Sequence, residues 1–160
     1  MMVVGITDDL KSSSDLFDRV LDEWDKTQIV WFTTLSELRE SRQTYLKNRD
    51  WLVLVNDEAL RQRVFKYYHR SADHFNLLEN QQRRKYEIQN KLNELIRDIQ
   101  LRDASLTREA AMMQGISLMQ AEDQELVGIN NMLPQNIQRT RDFKAEAKEL
   151  LLSLGKKGDV

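Results

Sequence analysis

The fold is decided by residues 56–102, which have the sequence NDEALRQRVFKYYHRSADHFNLLENQQRRKYEIQNKLNELIRDIQLR. The segment contains neither Gly nor Pro, and its apolar residues recur at intervals of three and four, close to the heptad of a coiled coil. This pattern predicts one helix of roughly 45 residues, about 70 Å long. Because a compact globule of 160 residues cannot cover such a helix, we expect it to lie along partner helices, from this chain or from another.

The apolar residues of this helix form two patches with a polar interval between them. The first patch is aromatic and is expected to pack with the N-terminal helices, since eleven of the twelve aromatic residues lie between Phe17 and Tyr86. The interval, residues 80–85, is polar on every face of a helix. The second patch is aliphatic and consists of Ile88, Leu92, Leu95, Ile96 and Ile99.

Two shorter helices are predicted before the long one. Residues 1–6 are expected to be a flexible arm or a short docked segment. The acids of residues 7–9, Thr-Asp-Asp, suit the partially positive N-terminus of a helix, and Ser12 with Asp15 is the alternative cap. Residues 28–34 leave two alternatives open, because their β-branched and aromatic side chains favour a strand and their neighbours favour a buried helix or a tight kink. A capping-box pattern predicts that a helix restarts at Leu35.

Residues 51–55 are all apolar, but the run is too short for a helix of its own. A connector packed under the helices and a short strand both remain open, and the connector is favoured because no second strand is evident to pair with it. Asn56 is then expected to cap the long helix, with Asp57 and Glu58 in its first turn.

Beyond the long helix, residues 103–107 predict a bend in which Ser105 or Thr107 caps the next helix. That helix is expected over residues 108–133. Gly115 and Gly128 lie within it, and each weakens it by roughly 1 kcal/mol relative to Ala.

Pro134 predicts a helix boundary, because proline disfavours helical geometry in the residue before it. A last helix is expected over residues 135–154, with Gly155 as its stop and residues 155–160 as a disordered tail. The whole pattern predicts a single all-α domain, an elongated antiparallel helical bundle built around one long central helix. Its parts are the arm 1–6, aromatic-rich helices over 7–103 and C-terminal helices over 104–154.

Composition excludes several classes of function. The net charge of −2 gives no overall field that would attract nucleic acid or an anionic membrane, so nucleic acid is an unlikely partner. The chain has no cysteine, which excludes disulfides, cysteine-zinc sites and thiol catalysis. No apolar run approaches the roughly 18 residues that a membrane span needs, so we expect no membrane-spanning segment in this sequence. The compartment is left undetermined, with the cytoplasm as the default.

Residues suited to catalysis are scarce. His69 and His74 are five residues apart, which places them roughly 140° apart on a helix and argues against a shared metal. The chain contains no glycine-rich phosphate loop and no motif of a nucleophilic or zinc hydrolase. We therefore expect a protein that is not an enzyme, with no cofactor, no metal and no small-molecule substrate.

The function favoured by this pattern is a structural or protein–protein interaction protein that acts through helical packing. The aliphatic patch is too apolar to remain exposed, so we expect a protein partner or a homo-oligomer, with a dimer favoured. The predicted interface consists of Ile88, Leu92, Leu95, Ile99, Met112, Ile116 and Met119.

Two other surfaces are candidates for binding. Arg83, Arg84 and Lys85 form the most concentrated basic cluster, which suggests a nucleic-acid-binding accessory factor as the alternative function. Tyr67, Tyr68 and His69 suggest a partner surface, because two adjacent tyrosines are not expected to point into one core.

Residues 46–68 resemble a segment of a bacterial family of uncharacterised proteins that have one N-terminal membrane anchor and a helical extracytoplasmic domain. The shared order is a helix ending, an aliphatic connector and a helix that opens with Leu60-Arg61 and carries paired aromatics. No segment within residues 1–160 corresponds to the anchor, and residues 48–50 are more polar than the family's connector. The resemblance implies an all-α extracytoplasmic domain that is attached to a membrane through a lost or separate segment, and no particular activity.

Overall fold

A computed structural model describes residues 2–27, 30 and 32–155. These residues form helices and no strand, which confirms the all-α class. The elements are α1 (Met2–Thr27), α2 (Phe32–Asn48), a 3-10 helix (Arg49–Leu54), α3 (Glu58–Arg102), α4 (Arg108–Leu118) and α5 (Gln120–Gly155).

The chain divides into two compact units. Unit 1 comprises Met1–Glu79 and Gln135–Val160, and unit 2 comprises Asn80–Pro134. Unit 1 therefore contains α1, α2, the first half of α3 and the last part of α5. Unit 2 contains the second half of α3, all of α4 and the first part of α5.

Aromatic contacts join α1 and α2 to α3 in unit 1. Phe17 of α1 stacks against Phe75 of α3, with ring centroids 5.0 Å apart. Tyr45 of α2 stacks on Tyr68 of α3 with nearly parallel rings. Since Tyr68 and Phe75 are seven residues apart, they lie on the same face of α3, and α1 and α2 cover that face together.

Tyr67 and Tyr68 are both buried, so the prediction that they could not both enter the core is wrong. The ring of Tyr67 meets Phe143 of α5 edge-on, with centroids 6.2 Å apart, while Tyr68 meets Tyr45 of α2. Adjacent residues on a helix are about 100° apart. Because a different helix covers each direction, the two tyrosines are buried without competing for one space.

Unit 2 is an antiparallel helical hairpin. Lys91 of α3 bonds to Glu122 of α5 at 2.7 Å. Arg84 lies about two turns earlier on α3 and bonds to Glu125, which lies later on α5. The turn after α3 is fixed by Asp103, whose Oδ1 accepts the backbone N–H of Ser105 at 3.0 Å.

Thr107 then caps α4, accepting the backbone N–H of Ala110 at 3.2 Å. The predicted bend and the Thr107 cap are therefore confirmed, as is the end of the long helix near Arg102.

Helices α3 and α4 approach each other closely at Gly115, a buried residue of α4. A Cβ atom added there would lie 3.1 Å from Cδ1 of Leu92 and 3.4 Å from Cγ1 of Ile96. Gly115 thus leaves room for the aliphatic patch of α3 to pack against α4. Gly128 has no such role, because nothing lies within 4 Å of its added Cβ.

Several predicted element boundaries are corrected. Helix α1 begins at Met2 instead of residue 7, since buried Ile6 extends its apolar stripe. The cap of α3 is Asp57 rather than Asn56, because the Asp57 carboxylate accepts the N–H of Leu60 at 3.0 Å.

The connector at residues 51–55 is mostly 3-10 helix and buries Leu52 and Val55, and it is not a strand. Of the ambiguous residues 28–34, numbers 28, 29 and 31 lie outside the described residues. Helix α2 starts at Phe32, three residues before the predicted restart.

The predicted boundary at Pro134 is also wrong, because α5 continues through it from Gln120 to Gly155. The break falls instead at Met119, whose N–H bonds to the carbonyls of Gly115 and Ile116 and ends α4. Pro134 is exposed, and buried Leu133 precedes it. The continuous helix keeps Leu133 and Ile137 buried on either side of the proline, and this burial opposes the local cost of the proline.

Replacing Gly115 and Gly128 should separate the effect of helix propensity on stability from the effect of packing. Gly128→Ala is expected to raise the free energy of unfolding by about 1 kcal/mol. Gly115→Ala should gain less, since Leu92 must move, and Gly115→Leu should lose about 1–3 kcal/mol through overpacking. Urea unfolding followed by circular dichroism measures all three. Equal stabilisation by the two alanines would contradict the close approach at Gly115.

Pro134→Ala should stabilise α5. The alanine restores an N–H that can bond to the carbonyl of Asn130 and removes a ring clash, together worth up to about 3 kcal/mol. The same urea titration measures the change. Unchanged or lower stability would show that the local geometry imposed by Pro134 is required by the fold.

Candidate functional site

The structure brings the predicted interface residues together inside unit 2, but it covers much of their surface with the same chain. Ile88 and Met119 are buried, and Leu92 faces Gly115 of α4. The side chains of Leu95, Ile99 and Ile116 are half-buried, and Met112 is 42% exposed. The aliphatic patch of α3 is therefore largely the seam between the two arms of the hairpin.

Most of the exposed apolar side chains of unit 2 lie outside the predicted interface. Of the eleven large apolar side chains exposed among the described residues, seven lie in unit 2. Met112 belongs to the predicted interface, and the other six lie off the helical stripe and so escape a search based on periodicity. The seven are Tyr86, Leu101, Met112, Met113, Leu118, Val127 and Met132.

The basic triplet does not present three free cations. Arg84 binds Glu125 through two hydrogen bonds of 2.7 and 2.9 Å and also lies 3.3 Å from Glu87. The hydrogen bond from Arg84 lowers the pKa of the Glu125 carboxyl below its usual value. Lys85 is half-buried, and burial lowers its pKa. This arrangement gives little support to the nucleic-acid alternative.

The two histidines have opposite environments. The side chain of His69 is 70% exposed and lies 3.9 Å from Asp73. His74 is only 6% exposed and packs against the rings of Phe75 and Phe143. The two rings do not share a site, in agreement with their spacing in the sequence.

Hydrogen bonding fixes the tautomer of His74. Thr140 donates its hydroxyl to the carbonyl of Asn136 at 3.0 Å, so its oxygen accepts from Nε2–H of His74 at 2.9 Å. Nδ1 is then a buried acceptor with no protein partner. Burial, and next the charge of Arg139, lower the pKa of His74 to about 4, so the ring is neutral near pH 7.

A cleft of about 460 Å³ lies beside His74 in unit 1. Arg70 is held there by Glu146 through bonds of 2.5 and 2.8 Å, and its guanidinium lies 5.9 Å from the ring centre of Phe143. The cleft is lined by Arg70, Asp73, His74, Leu77, Arg139, Asp142, Phe143 and Glu146.

The chemistry available in this cleft is limited. Its acidic and basic side chains are partly paired with each other, and His74 offers only a neutral imidazole. Within the part of the chain that the structure describes, no three His, Cys, Asp or Glu side chains are grouped so as to hold a metal ion.

No family model matches this chain, and no curated protein or solved structure matches it. The resemblance of residues 46–68 to a membrane-anchored family therefore stays a prediction. In the described ranges, no helix is both long and apolar enough to cross a bilayer.

Burial of His74 should make unit 1 sensitive to acid. Its pKa in the fold, about 4, is below the ordinary 6.5, so the fold favours the neutral ring. The contribution of the neutral His74 ring to the free energy of unfolding is complete above about pH 6.5. It is lost as the pH falls towards 4, and the total loss is about 3 kcal/mol. Urea unfolding at a series of pH values measures this slope.

A substitution of His74 tests this sensitivity to acid. His74→Gln should reduce the slope of stability against pH between pH 6.5 and 4. Proton NMR of the His74 imidazole follows its titration directly. An equal slope in the wild type and His74→Gln would contradict the burial of a neutral ring.

Proposed function

We propose that this protein is a non-enzymatic structural or interaction protein, and that the hairpin of unit 2 packs against a second copy of the chain. The observation that supports this most is the set of exposed apolar side chains in unit 2. Leu101, Leu118 and Met113 are 76%, 71% and 66% exposed. Isolated exposed leucines are common, but their concentration on one short hairpin is typical of an interaction surface.

The architecture of a hairpin favours this role. Two antiparallel helices bury only the faces that meet, here the seam around Leu92 and Gly115, and leave their outer faces without cover. Pairing two hairpins gives a four-helix arrangement, in which those outer faces gain a second layer. Methionines suit such a surface because their flexible side chains adapt to a partner.

Charge favours a second copy over a strongly charged partner. Residues 80–134 contain seven basic and eight acidic residues, which leaves the hairpin almost neutral. Two copies therefore repel each other little. A symmetric dimer also places the same residue twice in the interface, so each favourable contact counts twice.

Changing an exposed leucine of the hairpin should weaken the dimer. Burial of one leucine is worth about 1.5–3 kcal/mol, so Leu118→Asp is expected to raise the dissociation constant at least about tenfold. Leu101→Asp should act in the same direction. Sedimentation equilibrium over a micromolar concentration series measures the dissociation constant, and circular dichroism checks that the helices remain.

Leu152 supplies the control, since it is 66% exposed on α5 but belongs to unit 1. Leu152→Asp should leave the dissociation constant unchanged. A wild-type protein that is monomeric throughout the concentration series would refute the dimer, and so would equal effects of Leu118→Asp and Leu152→Asp.

A further inference from the structure

Among the methionines whose side chains the structure describes, three are exposed, and all three lie in the hairpin of unit 2. Met113 of α4 is 66% exposed, Met132 of α5 is 49% exposed and Met112 of α4 is 42% exposed. The fourth methionine of the hairpin, Met119, is only 5% exposed. One short hairpin therefore contains three thioether side chains that meet water and one that the fold covers.

The thioether is the only sulfur group that this chain offers to an oxidant, because the sequence contains no cysteine. With hydrogen peroxide, the sulfur lone pair attacks one peroxide oxygen, the O–O bond breaks and a sulfur–oxygen bond forms. The sulfur loses two electrons to the peroxide, and the departing oxygen takes up the proton of the transferred one and leaves as water. The product is methionine sulfoxide, which is polar and which methionine sulfoxide reductases convert back to the thioether.

Exposure separates the four methionines of the hairpin by reactivity, since a peroxide has to reach the sulfur atom. Met113, with the largest exposed fraction, is expected to react first, and Met132 and Met112 to follow. Met119 is expected to react last, because the packed hairpin keeps its side chain out of contact with solvent.

Oxidation of the exposed methionines should affect the association of two chains more than it affects the hairpin itself. In the separate chain these side chains already face water, so a sulfoxide oxygen is hydrated without any change in the fold. In a dimer that covers the exposed apolar side chains of the hairpin, the same oxygen would have to leave water. Burying a polar group without a hydrogen-bond partner is unfavourable, so the sulfoxide opposes the dimer.

We propose that Met112, Met113 and Met132 are sites of reversible oxidation by hydroperoxides, and that their sulfoxides keep the chain in the monomeric state. This inference rests on the proposed hairpin dimer and adds its regulation. The peroxide reacts with the monomer, in which the three sulfur atoms are accessible. The dimer protects them, so oxidation draws the equilibrium towards the monomer as it proceeds.

The test is treatment of the full chain with hydrogen peroxide, ended by adding free methionine. Tandem mass spectrometry of proteolytic fragments assigns each sulfoxide, and sedimentation equilibrium measures the dissociation constant before and after treatment. We expect the order of oxidation given above and a dissociation constant raised at least about tenfold, because each methionine contributes as a buried apolar side chain. Circular dichroism should be unchanged, and methionine sulfoxide reductases with dithiothreitol should restore the original dissociation constant.

Protein concentration gives a second measure of the same link. Oxidation of Met113 should slow as the concentration rises through the dissociation constant, because the dimer covers this side chain. Oxidation of Met119 should be slow at every concentration, since the hairpin of a single chain already buries it.

The matched control is the triple variant Met112→Leu/Met113→Leu/Met132→Leu, which retains Met119 and the two methionines at residues 1 and 2. Leucine is also apolar and of similar volume, so this variant should dimerise within a few-fold of the wild type. Its dissociation constant should not respond to peroxide. A response equal to that of the wild type would place the sensitive group elsewhere and overturn the proposal.

The remaining outcomes separate this inference from the dimer on which it rests. An unchanged dissociation constant in a dimer whose Met112, Met113 and Met132 are oxidised would overturn the regulation and leave the dimer intact. An untreated chain that is monomeric throughout the concentration series would refute the dimer and the regulation together. Oxidation of Met119 as fast as that of Met113 would contradict the burial on which the order of reaction depends.

Discussion

A helix of 45 residues, α3, has to bury its apolar stripe along nearly its whole length, and both units of this protein are built to meet that requirement. In unit 1 the cover comes from α1, α2 and α5, through rings such as Tyr45 and Phe143. In unit 2 it comes from α4, which approaches α3 closely at Gly115, and from α5, which is joined to α3 by ion pairs such as Lys91 to Glu122. The chain thus supplies its own partner helices along α3.

The two units achieve this burial by different physical means. Unit 1 fills its interior with large planar side chains, and an arrangement such as Phe17 on Phe75 fixes both spacing and orientation. Unit 2 relies on a small residue that lets aliphatic side chains interlock, with ion pairs such as Lys91 to Glu122 at its edge. A hairpin of this kind has one seam, and seven of the eleven large apolar side chains that are exposed among the described residues lie in it.

The sequence pattern predicted those parts of the fold that depend on residues close to each other along the chain. The all-α class, the end of α3 near Arg102 and the cap at Thr107 follow from periodicity, the absence of Gly and Pro, and side-chain hydrogen bonding. The passage of α5 through Pro134 was not predicted in this way, because the signal at a proline is local and does not report that the tertiary fold buries Leu133 and Ile137 on either side of it. The same is true of Tyr67 and Tyr68, whose shared burial requires that α2 and α5 approach α3 from different directions.

The sequence pattern also could not distinguish an interface with another molecule from the core of the same chain. Periodicity selects residues that face a helical neighbour, such as Ile88 and Leu92, and it cannot say whether that neighbour belongs to the same chain. Where the chain folds back on itself, those residues become its own core, as the position of Gly115 beside Leu92 illustrates. The large apolar side chains that remain exposed are then mostly the ones that the periodic pattern passes over, such as Leu101 and Leu118. For a protein of long paired helices, the search for a binding surface therefore has to begin with the apolar residues that lie off the stripe.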